Sequence, residues 1–446
     1  MSTGLAAWRE TVVTRLWPVP AIAVVAALLL GLAVSTLDAR VDDHLSDQAT
    51  TWLFGGDADA ARSLLAAIAS SLITVTALTF SLTVVTLQLA SSQFSPRLLR
   101  TFSRDSVVQY TLALLLATFT YALTVLRSVR GADGGGELVP RIGVTLAFLL
   151  AVASVVALVF FLGHLTKQIR VETMLQQVRT DALTTIRSVL PQRGDGSARG
   201  QSLPSPQLDG AFDIAASAAG FLTRIDYDRI LEVAVEEDVV VRLDEHVGAF
   251  VVEGSPLGVG WPASGLVPGS EAERRISAAV VAFVHTGVER TSTHDTGFGL
   301  RQLVDVANKA LSPGINDPTT AIHALGHISA LLCELADRDL RPVLRHDDDG
   351  RVRVAVRVPG LSDYIDLGVS QPRRYGAADL QVLERIAQVL LELSRRVSPQ
   401  ERPVLSEQLR RLRSTADEHA FHHLERQAFD AFGRRIEENL GAAIHQ

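Results

Sequence analysis

The sequence predicts an α-helical membrane protein, with four transmembrane helices and both termini cytoplasmic, followed by a C-terminal cytoplasmic α+β region. Three observations carry this. Mean hydropathy is +0.22. Of 446 residues, 47% are hydrophobic and only 20% charged, which is more apolar than a soluble domain of this length. The excess is concentrated before residue 166 in four runs, each of about 20 or more mostly apolar residues, enough to cross a hydrocarbon core.

The four spans are 18–37, 63–90, 107–126 and 142–165. The first reads as a retained anchor, because no small-residue cleavage site follows "LLLGLAVSTLDARVDD" and three further spans come after it. Orientation follows the flanking cations. Arg9, Arg15, Arg97, Arg100, Arg104, Lys167 and Arg170 fall on one side, whereas loop 38–60 holds six Asp against Arg40. This places both termini in the cytoplasm, although the third loop, with Arg127, Arg130 and Arg141, dissents.

The second span is unusual. As one helix over 63–93 it exceeds what the hydrocarbon alone requires. Ser63, Ser70, Thr74, Ser81, Gln88 and Ser95 recur on one side, and Thr76, Thr79, Thr83 and Thr86 form a second polar line. Two readings stand: close helix packing through small and hydroxylated residues, or copies of this helix lining an ion or small-solute pore. The pore-lining set is Ser70, Thr74, Thr79, Ser81 and Gln88. No Asp, Glu, Lys or Arg follows Arg62 inside a span, which disfavours a carboxylate proton relay. The segment "SSQFSPRLLRTFSRDS" ends this helix at Ser95–Pro96 and supplies a short Arg-rich amphipathic piece, either a collar below a pore or an ordinary interfacial loop.

Downstream the pattern divides into a helical extension of the fourth span over 167–192, a Gly/Ser/Pro-rich linker over 193–210, a small β-rich barrel-like module over 211–268, and a mostly helical domain over 269–446 with one strand near 351–358. The run through Gly248, Gly254 and Pro256 resembles the turns of biotinyl-type modules. The region has no Lys to carry a prosthetic group, which leaves a structural or docking role. The Arg/Val alternation of 351–358 gives a polar face suited to an acidic surface or water.

The segments "QLASSQFSPRLLR", "FGLRQLVDVANKALSPGINDPTTA" and "DYIDLGVSQPRRYG" together resemble a bacterial family of four-span integral membrane proteins catalogued as a domain of unknown function. The resemblance covers essentially the whole chain and implies a multi-pass protein of the bacterial cytoplasmic (inner) membrane. Within "KALSPGINDPTTA", Pro313 turns Ser312 away from helix, Gly314 permits a positive φ, and Asp317 caps the next helix with Pro318 at its first position. The run is a helix-stop and helix-start device. On a functional reading, Asn316 and Asp317 form a polar site with Arg290, His294 and Asp295 of "ERTSTHDTG", and Arg374 reads an anionic group.

Composition excludes several classes. Cys333 is the single cysteine, so an internal disulfide, a CxxC redox pair and a cysteine zinc site are ruled out. A net charge of -7 without a basic cluster argues against nucleic acid as a partner. His323 and His327 have metalloprotease spacing but no Glu between them, and no phosphate loop, GxSxG or Cys nucleophile is present, so enzyme function lacks positive support. Packing or surface roles for the two histidines stand beside a metal site completed by His294 or Asp295, and the sequence identifies neither a metal nor a cofactor. The expected function is a channel-like homo-oligomer in a lipid bilayer, conducting ions or small solutes, with a cytoplasmic regulatory or vestibule domain and an ion or small anion as its ligand. The alternatives are a non-conducting membrane scaffold or sensor, and a membrane-bound hydrolase using His294, Asp295 and Asp317.

Overall fold

The computed structural model describes residues 17–41, 53–93, 105–130, 139–168, 170–194, 202–206, 210–265 and 268–442. The chain divides into two units, Met1–Thr173 and Met174–Gln446. The Arg-rich segment at Arg97, Arg100 and Arg104, together with Arg9, Arg15 and Ser95, lies outside the described residues.

The first unit contains α1 (Pro18–Val41), α2 (Ala58–Gln93), α3 (Ser106–Leu126) and α4 (Arg141–Gln168). All four are long and apolar enough to cross a membrane. α3 packs against each of the other three. Its approach to α1 is close: a Cβ on Gly31 would lie 2.8 Å from Thr124 Cβ. Small residues at such crossings let backbones meet where lipid supplies no hydrophobic drive. Several polar groups inside the bundle find partners on another helix. Thr118 and Ser154 hydroxyls meet at 3.0 Å between α3 and α4. Asp38, at the end of α1, accepts from the Ile142 and Gly143 amides at 3.0 and 2.8 Å and so caps the start of α4 from a different helix. Asp105 caps α3 through the Val107 amide at 2.9 Å and meets His164 Nε2 of α4 at 2.6 Å.

α2 starts earlier than the hydropathy suggests, because Asp57 accepts from the Ala60 amide at 2.8 Å and adds a polar first turn. Its 36 residues run about 54 Å. Of the helical extension expected over 167–192, the structure describes the end of α4 at Gln168 and α5 (Val171–Val189), with residue 169 outside the described residues. No Gly or Pro occurs between them, which is why the sequence suggests one helix. What changes is the pattern. α5 is amphipathic, and its buried stripe of Met174, Leu175, Val178, Ala182 and Ile186 belongs to the second unit's interior.

The second unit continues with β1 (Phe212–Ala215), β2 (Gly220–Ile225), α6 (Tyr227–Glu236), β3 (Val239–Leu243), β4 (Phe250–Val251), β5 (Pro256–Pro262), α7 (Ser270–Val281) and β6 (Val284–Gly287). It closes with α8 (Phe298–Ala310), α9 (Pro318–Ala336), β7 (Val343–His346), β8 (Val352–Val356), α10 (Leu361–Tyr375), α11 (Leu380–Ser394), α12 (Arg402–Asp417) and α13 (His423–Ala442). One sheet has the order β1-β5-β3-β8-β7, and the other β4-β2-β6. Among the described strands only β3 and β8 run parallel, with Val241 opposite Val354 and Leu243 opposite Val356. Both sheets contribute to one core containing Ile214, Leu222, Val241, Leu257 and Val354, into which α6 and α7 insert Ile230 and Val280.

The β-rich part is therefore not a self-contained barrel within 211–268. Its larger sheet needs β7 and β8, and its smaller sheet needs β6, formed by residues expected to prolong a helix. The strand expected near 351–358 is β8, and its alternating arginines do not all face water. Arg353 is buried and donates to Asp347 at 2.7 Å and Asp238 at 2.8 Å, so the acidic surface it meets is the protein's own.

Candidate functional site

On α2 the two polar lines have opposite fates. Ser70, Thr74, Ser81 and Gln88 are exposed, whereas Thr76, Thr79, Thr83 and Thr86 are buried together with Ala61, Leu65, Ile68 and Leu72. Residues two apart on a helix point roughly 200° apart, so Thr74 faces directly away from Leu72 and Thr76. The exposed line is thus diametrically opposite the face that α2 presents to its own bundle. Thr79, grouped with the pore-lining residues on the sequence, is only 3% exposed and belongs to the packed face. Its hydroxyl donates to the Val75 carbonyl at 2.8 Å. On the outer line, Thr74 donates to the Ser70 carbonyl at 2.9 Å and Ser70 to the Ala67 carbonyl at 3.2 Å. Their oxygens keep lone pairs for further donors. Neighbouring outer faces differ: α1 exposes Ile22, Val25 and Leu29, and α4 exposes Val155, Val159 and Phe160.

The second candidate set divides between two ends of one helix pair. α8 and α10 lie side by side in the same direction, since Thr296 meets the Tyr364 hydroxyl at 2.6 Å near their starts and Asn308 donates to Gln371 at 2.9 Å toward their ends. Arg290, His294 and Asp295 stand at the start. Asn316 and Asp317 follow the far end of α8, whose 13 residues span about 20 Å. Arg374 is in the last turn of α10 and exposed. These residues form no single site, and the hydrolase trio of His294, Asp295 and Asp317 does not converge.

At the start of α8, Arg290 grips buried Asp295 through two hydrogen bonds of 2.6 and 2.9 Å. Asp295 also accepts from the Gly297 amide at 3.1 Å, just before the helix begins. Gly248, at φ +96, lies against this pair: a Cβ there would be 2.3 Å from Asp295 Oδ2. Only a residue without a side chain fits so close to a carboxylate in that backbone conformation. His246 lies two residues away, and burial pushes its imidazole below the usual range against the opposing pull of the Asp295 and Glu245 carboxylates. His246 and exposed His294 line one cavity of about 260 Å³ with Tyr227, Thr296, Arg345 and Arg357.

At the far end, Asp317 caps α9 by accepting from the Thr320 amide at 3.0 Å and the Thr320 hydroxyl at 2.6 Å, which hold its carboxyl below the usual range. The positive φ of this turn falls on Asn316, at +50, and not on Gly314. Asn tolerates the left-handed region better than other side chains. Asp317's amide then donates back to the Ala310 carbonyl at 2.8 Å, closing α8. Both residues are absorbed in the turn. Among the described residues no group of three His, Cys, Asp or Glu is placed to hold a metal ion.

Sequence reasoning missed His246, Tyr227, Arg345 and Arg357. Each lies at or beside a strand end, and the pairings of β8 with β3 and with β7 gather segments distant in sequence around the cavity at His294. The available signal was two Arg, each closing an apolar strand, in "VLRH" and "VAVRVP".

Comparison with known proteins places the chain. A family model described as predicted membrane protein (DUF2254) matches residues 13–392. An uncharacterized protein of Mycobacterium bovis and one of Mycobacterium tuberculosis are each 36% identical over 394 residues, covering 86% of this chain and 74% of the relative. No solved structure matches. With four apolar helices ahead of a mixed α and β region and a family match over nearly its whole length, the chain belongs to the DUF2254 family of predicted membrane proteins.

Proposed function

We propose that the protein is a homo-oligomeric conduit for ions or small solutes in the bacterial cytoplasmic membrane, with both termini cytoplasmic. Copies of α2 line the path through Ser70, Thr74, Ser81 and Gln88, and the second unit serves as a regulatory or vestibule domain. One observation carries the reading: the polar line of α2 points directly away from the bundle that buries the opposite face. Hydroxyl and amide groups facing acyl chains are unfavourable relative to a hydrated path or another helix. The outward faces of α1 and α4 are apolar and suit lipid. Ser70 and Thr74 use their protons within the helix, so these two hydroxyls present acceptor oxygens, which suit a cation.

Purified protein in liposomes tests this. Cation flux is expected, and Thr74→Leu or Ser81→Leu should reduce it while leaving the fold intact. Thr79→Leu, on the packed face, should impair folding instead. Absence of flux at every voltage, tension and ligand condition, with the protein folded, rejects the conduit in favour of a membrane-anchored scaffold or sensor.

A further inference from the structure

The cavity between the sheet and the loop before α8 has a chemistry that the conduit reading does not use. Its polar lining is Tyr227, His246, His294, Thr296, Arg345 and Arg357, with no Asp or Glu among the lining residues. Its remaining wall is apolar, with Leu190, Val343, Val356 and Val358. The two guanidinium groups are only loosely engaged. Arg345 meets Asp228 at 3.4 Å, and Arg357 meets Asp363 at 3.6 Å. Both pairs are solvent-exposed and of the kind that contributes little. Arg345 also lies over the Tyr227 ring at 5.7 Å, which orients its planar fork. His246 Nδ1 is buried without a hydrogen-bond partner among the described residues, and buried polar atoms are ordinarily satisfied. A site with two loosely held cations, an unsatisfied ring nitrogen and an apolar wall matches a ligand with an anionic head and an apolar body. About 260 Å³ holds roughly nine water-sized groups, too few for a lipid and enough for a short-chain carboxylate.

We propose that this cavity binds a small organic carboxylate, its head held by Arg345 and Arg357 beside His246 and its aliphatic body against Leu190, Val343 and Val356. Planar bidentate donors suit a carboxylate. The apolar wall distinguishes such a ligand from inorganic phosphate, which would use the arginines alone. This inference is independent of the conduit reading.

Calorimetric titration of the full-length protein in detergent tests the site, with hexanoate, hexylamine and inorganic phosphate as probes. Hexanoate should bind saturably and more tightly than phosphate, and hexylamine should not bind. Arg357→Gln should weaken hexanoate roughly tenfold or more. Its guanidinium is exposed, so the fold should survive. Arg345→Gln should act similarly, and because partition into detergent is common to all variants, the difference between them isolates the site. Equal heats for hexanoate and hexylamine, phosphate binding as tight as hexanoate, or unchanged hexanoate affinity in Arg357→Gln would each overturn the proposal.

Discussion

Glu334→Gln isolates one ion-pair knot in the second unit. Glu334 of α9 accepts from Arg187 of α5 at 3.1 and 3.0 Å and from Arg338, which itself donates to the Leu190 carbonyl at 3.3 Å. The knot fastens the end of α5 to α9. The hydrogen bond from Arg187 is the largest cause that brings the Glu334 carboxyl from its ordinary 4.5 to about 2, with Arg338 assisting and burial opposing. At ~1.4 kcal/mol per tenfold, this difference amounts to about 3 kcal/mol for a fully shielded pair. Arg187 is 57% exposed, so water screens part of it and about 2 kcal/mol is expected. Because the folded value is depressed, this stabilisation is fully present above the unfolded value of 4.5 and is lost as pH falls toward about 2. Urea unfolding of wild type and Glu334→Gln, followed by circular dichroism in detergent, should give a gap of about 2 kcal/mol near neutral pH. Near pH ~3 the gap should shrink to less than half. A gap of the same size at both values would show that Gln loses packing rather than charge, and no gap at neutral pH would refute the assignment.

Three further substitutions follow from the geometry. Gly248→Ala places a Cβ 2.3 Å from Asp295 Oδ2 at a positive φ, so it should lower stability by ~3 kcal/mol or more, measured as a shift in the urea midpoint. Asp38→Ala removes the charged acceptor for two amides at the start of α4 and should cost about 2 kcal/mol in detergent unfolding, with Asp38→Asn recovering part of the loss. Asp317→Ala should cost ~1 kcal/mol through loss of the α9 cap, whereas Asn316→Gly should be close to neutral because it relieves the positive φ; the reverse ranking in thermal unfolding would contradict the turn described above.

What the sequence discloses and what it hides follow from the range of the interactions. Continuous apolar runs and the Pro-Gly-Ile-Asn-Asp-Pro turn are local signals, and the four spans and the α8–α9 junction were legible from them. The partition of α2's hydroxyls was half legible: periodicity separates Thr74 from Thr76, but only packing against α3 shows which line is buried, and Thr79 was therefore misassigned. The second β-sheet was hidden because β6 is a short segment whose residues suit a helix end equally well, and its strand character comes from pairing with β2. The cavity was hidden for the same reason, as His246, Arg345 and Arg357 meet only once β8 pairs with both β3 and β7.

Water access along α2 tests the central claim most directly. In a Cys333→Ser background, single cysteines introduced by Thr74→Cys, Ser81→Cys, Thr79→Cys and Phe80→Cys are exposed to a hydrophilic thiol reagent in intact membranes. The conduit predicts modification at 74 and 81, with protection at 79, which is packed, and at 80, which is exposed on an apolar face. Protection at 74 and 81 equal to that at 80 would mean that the polar line meets lipid or a dry helix contact, and would contradict the account.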